Sequence, residues 1–250
     1  MNWQQRLGLW RSILIYYLKP GQLRRMRSFY RSFIRPGELC FDLGAHLGNR
    51  CAVWLELGAR VVAVEPQPLC VEYLEKRFGH LDGFTLVPAA VGAAPGRATL
   101  HLSSPTPTVS TLADEEWRES LARHSRWPTS WEETLEVEVL TLDELIRRFG
   151  RPAFCKIDVE GWEYEVLMGL HQPLPALSFE FLAFRLDLAR RCLERLCHLG
   201  DYVFNWSKRE TMKLAEARWL EAEPFERALR KWEGAAFSGD IYARLQTPTP

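Results

Sequence analysis

The sequence predicts an α/β fold: a mostly parallel sheet with helices on both faces and an antiparallel edge strand. Three observations predict it. Short β-branched runs alternate with amphipathic helical stretches, which is the pattern of a parallel sheet covered on both sides. Residues 37–66 hold a strand, a glycine turn, a helix, a second strand and a terminal acid in succession. Such a βαβ unit gathers a nucleotide-like ligand at its strand ends. Finally, the long stretch 207–240 before the last apolar run leaves room for an antiparallel return at the sheet edge.

Composition bounds the class. With 250 residues, 47% hydrophobic and 26% charged, the chain suits one large α/β domain with trimmings. Its 32 basic and 32 acidic side chains cancel, so no global basic field points to nucleic acid. No Asn/Asp-Pro-Pro-Tyr/Phe motif of base methylation occurs either, and nucleic acid is not an expected partner. The apolar run 13–18 is too short to span a bilayer, and no export-signal pattern follows it. The six cysteines (40, 51, 70, 155, 192 and 197) are therefore expected to be reduced, in a cytoplasmic protein. No CxxC pair occurs, so no zinc site is expected. Oligomeric state is not legible.

Two regions are set apart. Residues 1–36 form a basic amphipathic helical extension, with Arg6, Arg11, Lys19 and five further arginines before the first acid, Glu38. Within it Trp3, Leu7, Trp10, Leu14 and Tyr17 recur at helical spacing up to a break at Lys19-Pro20-Gly21. Such a helix either caps the main domain with its apolar stripe or offers a basic surface to an anionic substrate, a membrane face or a partner.

Residues 37–250 form the main domain. Strands are expected at 39–43, 61–64, 84–87, 97–102, 135–140, 153–159, 177–182, 202–206 and 241–245. Helices are expected after the glycine turn, with Gly58 at C′, and at 69–78, 160–170 and 186–199. Thr141-Leu142-Asp143-Glu144 caps one more, running to Phe149. The insertion at about 103–135 breaks the alternation with prolines at 105, 107 and 128 and with Trp117, Trp127 and Trp131. It is read as a lid, a substrate-binding insertion or a mobile loop.

The glycine turn reads Asp42-Leu43-Gly44-Ala45-His46-Leu47-Gly48, an acid followed by G-x-x-x-G rather than the dinucleotide G-x-G-x-x-G. A carboxylate there repels a pyrophosphate at the helix N-terminus and attracts an ammonium group. S-adenosylmethionine carries that ammonium at one end and a ribose at the other. Glu65, followed by Pro66, ends the second strand, where an acid accepts hydrogen bonds from ribose hydroxyls. A nicotinamide-dependent oxidoreductase is the second enzymatic reading, since Glu65 also suits that ribose; the missing third glycine counts against it. A non-catalytic cofactor-binding module that docks a partner through the N-terminal helix is the third.

Four stretches carry a family resemblance: Phe41 to Gly48, residues 61–66, Ala89-Ala90-Val91-Gly92, and Lys156-Ile157-Asp158-Val159-Glu160-Gly161 with Glu163 and Leu167-Met168-Gly169. Thr141 to Leu145 and Asp240-Ile241-Tyr242-Ala243-Arg244 look similar too. Over residues 35–245 the chain resembles the FkbM-type S-adenosylmethionine-dependent methyltransferases. One departure is His46, where the family usually shows Asn.

The resemblance implies a class I methyltransferase (Rossmann-like) fold, S-adenosyl-L-methionine as cofactor, and O-methylation of a small-molecule hydroxyl on a sugar, glycolipid or secondary metabolite. It places the cofactor against Asp42, Gly44, Ala45, His46, Gly48, Glu65, Pro66, Ala90, Val91 and Asp158. Asp158 is nominated as base or orienter of the acceptor hydroxyl. Glu160, at the following helix N-terminus, is a catalytic candidate that meets substrate or caps the helix, Lys156 is an ion-pair partner on the same strand face, and Glu180 is the second acid at that edge. Glu180, Trp117 and His124 are the substrate candidates. Asp158 and Glu180 carry the hard oxygens that magnesium prefers, yet two acids are too few, and no metal is assigned. No transmembrane segment is expected; peripheral membrane contact is left open.

Overall fold

The computed structural model describes residues 21–103, 106–125 and 129–246. Helix α1 (Gln22–Tyr30) leads into β1 (Leu39–Leu43), α2 (Asn49–Glu56), β2 (Arg60–Val64), α3 (Pro68–Phe78) and β3 (Phe84–Val87). Then come β4 (Ala90–Val91), β5 (Gly96–Leu102), α4 (Glu115–His124), β6 (Glu133–Leu140) and α5 (Leu142–Phe149). The chain continues through β7 (Phe154–Ile157), α6 (Glu163–Met168), β8 (Ala176–Leu182), α7 (Leu186–Leu199), β9 (Tyr202–Lys208), α8 (Ala222–Arg230) and β10 (Ser238–Leu245).

Among the described residues the main sheet has seven strands in the order β3-β2-β1-β7-β8-β10-β9. β1 runs parallel to β2 and β7, β2 to β3, and β7 to β8, whereas β10 is antiparallel to both β8 and β9. The antiparallel return thus slots in one place from the rim and leaves β9 outermost. Strand order reverses between β1 and β7. In an open α/β sheet that switch point is where a ligand binds.

Alternation along the strands builds two layers. Phe41, Leu43, Cys155 and Ile157 face a core closed by Leu142, Leu145, Val166, Leu167, Leu193 and Leu196 of α5, α6 and α7. Cys40, Val61, Ala63 and Phe154 face the other core, closed by α1, α2 and α3 through Met26, Tyr30, Trp54, Leu74 and Phe78. β1 is buried at every position, as a central parallel strand must be. Tyr30 sets its ring edge-on to Trp54 and Phe154, so α1 belongs to this core. The helix expected over Trp3 to Tyr17 lies outside the described residues.

Local chemistry agrees with several boundaries. Thr141 and Glu144 form the reciprocal capping box of α5. Gly58 follows α2 with φ 81, and its N–H reaches Leu55 O while that of Ala59 reaches Trp54 O. One expectation needs correction: α6 starts at Glu163 rather than at residue 160. Residues 158–162 form a loop in which Glu160 (φ 54) and Gly161 (φ 92) both have left-handed backbone.

β5 and β6 pair antiparallel, and β4 adds parallel to β6, making a small second sheet. The insertion is the connection of that hairpin. It holds a short 3-10 turn (Pro107–Val109) and α4, whose N-cap Asp114 accepts from Trp117 N. Its residue Trp127 lies outside the described residues. Helix α8 inside 207–240 was not foreseen; Phe225 and Leu229 carry its apolar side into the core.

Candidate active site

At the carboxyl ends of β1, β2 and β7 opens a cavity of about 450 Å³. Asp42, Gly44, Ala45, His46, Glu65, Pro66, Ala90 and Val91 line one half; Asp158, Glu160, Glu180 and the insertion's Thr108, Ser110 and Thr111 line the other.

The half around the glycine turn is held by backbone. Gly44 has φ +76, and a Cβ there would lie 1.8 Å from the Asp158 carbonyl oxygen. Only glycine lets this turn touch the loop after β7. His46 also has left-handed backbone (φ 49), a region that Asn enters readily and His tolerates. That is a physical reason for the family's Asn, and here His meets the same demand. Its N–H donates to Glu65 Oε2 at 2.8 Å, and Gln67 N–H donates to Oε1 at 2.9 Å. Burial pushes the Glu65 carboxyl up to about 7 against those two donors. Burial likewise lowers the His46 imidazole to about 4, so it is neutral at pH 7. Asp42 is buried and accepts from the Cys51 thiol at 3.1 Å; burial raises its carboxyl while Arg50 opposes the rise.

Gly48 is a correction. It is not among the cavity-lining residues. A Cβ there would meet Phe78 and Leu74 of α3 at 2.6 and 2.7 Å, so the glycine lets α3 pack on the turn instead.

The half around Asp158 is built of charge. Lys156, wholly buried, sets Nζ 3.1 Å from Asp158 Oδ2 and 2.8 Å from Asp240 Oδ1. It therefore does not line the cavity, contrary to the direct catalytic part expected of it. Arg50 stands 3.8 Å from Asp158 Oδ2, 3.8 Å from Glu210 Oε1 and 3.9 Å from Asp240 Oδ2. Burial pushes the Asp158 carboxyl up, but Lys156 and Arg50 outweigh it and hold the group below the usual carboxylate range. Lys156 also lowers Glu160 and Glu180, but there burial together with neighbouring carboxylates outweighs it and raises both well above that range. Asp158, Glu160 and Glu180 converge, with ligand atoms within 4.8 Å of one another, and are the described residues that could hold a hard cation.

Glu160 is not a helix cap. The helix has Trp162 at its N-cap with no side-chain cap, and Glu163 Oε1 instead accepts from Val159 N at 3.1 Å and Gly161 N at 3.3 Å and so shapes the loop carrying Asp158 and Glu160.

Two substrate candidates are displaced. Trp117 is buried under the insertion against Gly161, where a Cβ would lie 2.3 Å from its ring. His124 stacks on Phe184 with centroids 4.2 Å apart and bonds Ser120 O, away from the cavity. Both lie within the insertion and were expected to face the cleft, whereas packing of α4 turns them aside. Trp131 Nε1 donates to Val109 O and braces the insertion.

Sequence reasoning missed Arg50, Glu210 and Asp240. Arg50 follows the glycine turn directly, and a basic residue at a helix start, where the dipole disfavours it, was the available signal. Asp240 stood in a recognised phrase without a role. Glu210 had no signal.

S-adenosylmethionine fits this cavity. The Gly44 turn is a cradle that a Cβ would fill, and Glu65 spends one lone pair per oxygen on backbone N–H groups, leaving acceptor capacity for two ribose hydroxyls. The volume lies within the range of small-molecule sites.

The model of the methyltransferase FkbM domain matches residues 42–188. Hexuronic acid methyltransferase AglP of Haloferax volcanii is 24% identical over 144 residues, 57% of this chain and 54% of that protein. The chain thus spans about half the length of the curated relative it matches. Precorrin-6y C5,15-methyltransferase of Geobacter metallireducens superposes with a TM-score of 0.47 at 11% identity, covering 90% of this chain and 87% of that one. An O-methyltransferase of Bacillus cereus in complex with SAH superposes at 0.44 and 10% identity, covering 98% and 92%. With its family match over residues 42–188 and the sheet order above, the chain belongs to the FkbM methyltransferase family, whose cofactor is S-adenosylmethionine.

Proposed function

We propose that the protein transfers the methyl group of S-adenosylmethionine to a hydroxyl oxygen of a small polyhydroxylated acceptor, with a sugar the best match. One observation carries this reading. Asp158 gives Oδ2 to Lys156 and Arg50, and among the described residues no protein donor takes its Oδ1 at the cavity wall. When bound, the cofactor supplies a sulfonium-activated methyl group, so the protein's task is alignment and removal of one proton.

Each residue then has a part. Glu65 accepts from the ribose hydroxyls, and Asp42 draws the ammonium end. Asp158 Oδ1 accepts the acceptor's O–H. A carboxylate held this acidic is a weak base, so it chiefly orients the hydroxyl and takes the proton as the C–O bond forms. Glu160 and Glu180, raised towards their neutral forms, can each donate and accept with neighbouring hydroxyls. Paired polar groups of this kind suit a sugar better than an apolar metabolite. Similarity to a hexuronic acid methyltransferase supports a carbohydrate acceptor. The nicotinamide reading loses its support with the family assignment.

The test is calorimetric binding of S-adenosylmethionine, followed by transfer of labelled methyl to uronic-acid-bearing glycans. Binding by the wild-type protein and its loss in Glu65→Ala are expected. Absence of binding by the wild type ends the reading, and transfer only to non-carbohydrate fractions ends the acceptor class.

A further inference from the structure

Asp240 lies on β10, remote in sequence from Asp158 at the end of β7, yet one ammonium joins them. Lys156 Nζ, with no exposure to solvent, sits 2.8 Å from Asp240 Oδ1, 3.1 Å from Asp158 Oδ2 and 3.3 Å from Ile157 O. An ammonium has three protons, and three oxygens receive them. A buried ammonium facing one carboxylate would draw that carboxylate wholly to itself. Here the charge is divided. Asp240 is in turn fixed by Tyr242 Oη at 3.4 Å and by Arg50 at 3.9 Å, while Arg50 also faces Glu210.

We propose that Asp240 is a positioning residue for the methyl-transfer site: by sharing the Lys156 ammonium it fixes Asp158 through Oδ2 and leaves Oδ1 open and negative towards the acceptor. This rests on the function proposed above. Asp240 also reaches the cavity wall, and the part proposed for it is the one it plays through Lys156. The pairing of β10 beside β8 delivers it, because Asp240 stands opposite Glu180 in that register. The strand inserted within the sheet thereby has a chemical task as well as a structural one.

The probe is a pair of cofactor analogues. Sinefungin carries an ammonium where the donor has its methyl-sulfonium, so it reports the negative potential that Asp158 presents at the transfer point. S-adenosylhomocysteine is neutral there and reports the rest of the pocket. Calorimetry on the full chain gives the ratio of the two affinities. The wild type is expected to prefer sinefungin, and Asp158→Asn to remove most of that preference.

Asp240→Asn keeps the shape and an oxygen for Lys156 but leaves the ammonium's charge to Asp158 alone. It should lower the preference about tenfold, with S-adenosylhomocysteine affinity changed less than threefold. The double variant Lys156→Met with Asp240→Asn removes both charges and should restore most of the preference, which a purely structural role would not do. It also buries no unpaired charge, so it carries the test if the single variant fails to fold. An unchanged ratio in Asp240→Asn, or a double variant no better than the single, overturns the inference alone. Loss of S-adenosylhomocysteine binding in both variants overturns it too, since a positioning residue spares the cofactor half. A wild-type protein that binds neither analogue overturns the proposed function with it.

Discussion

The two halves of the cavity are made by different means. The half proposed for the cofactor is nearly contiguous: β1, its turn and β2 supply Asp42, Gly44, His46 and Glu65 within one βαβ unit, β4 adds Ala90 and Val91, and backbone N–H groups hold the Glu65 carboxylate. The acceptor half is assembled from far-flung pieces. Asp158 follows β7, Glu180 lies on β8, Asp240 on β10, Arg50 on α2 and Thr111 in the insertion. Backbone geometry governs the first and side-chain charge the second. A recurring cofactor needs a fixed cradle, while acceptor chemistry is tuned by side chains that can change without disturbing it.

Mutations can break this contrast. The largest effect is expected from Asp158→Asn, which should cut labelled methyl transfer about a thousandfold while weakening S-adenosylmethionine binding less than tenfold. A comparable loss of binding would put Asp158 in the cofactor half instead. Next, Gly44→Ala forces a Cβ to 1.8 Å from the Asp158 carbonyl, at φ +76. It should weaken binding at least a hundredfold and cost about 3 kcal/mol in urea unfolding, coupling the halves through their shared backbone contact.

Glu65→Gln probes the cofactor half by charge. With Glu65 at about 7 in the free protein, ribose hydroxyls should favour its ionised form, so binding releases a proton. Affinity for S-adenosylmethionine should therefore rise from pH 6 to pH 8, by up to about tenfold per pH unit below the free-protein value and levelling off above it. Glu65→Gln should bind less tightly and show a flat profile by calorimetry; a wild-type profile that falls with pH refutes the linkage. The smallest effect is expected from His46→Asn. Because position 46 contributes a left-handed backbone and an N–H, donor affinity should change less than threefold, and a larger drop would show that the imidazole itself meets the cofactor.

Legibility followed the same division. The βαβ unit, the capping box at Thr141 and the α7 boundaries were readable because each depends on neighbours in sequence. Gly48 and the start of α6 were misjudged: glycine spacing does not say whether the missing Cβ makes room for a ligand or for Phe78 and Leu74, and Glu160 is turned out of helical geometry by its positive φ. Trp117 and His124 were nominated for lying in or near an unassigned insertion, yet α4 turns one into packing against Gly161 and stacks the other on Phe184.

The sequence by itself determined the parallel α/β class and the acid-bearing glycine turn, and it nominated Glu65 for the ribose and Asp158 for the chemistry. These are written in runs shorter than one βαβ unit, where strand period and turn stereochemistry leave few alternatives. Only the tertiary structure decided that β10 slots between β8 and β9, that Lys156 is sealed from the cavity, and that Lys156 and Arg50 each stand between Asp158 and Asp240. The reason is physical: strand order and buried charge pairing depend on which distant segments meet, and no local propensity specifies that meeting.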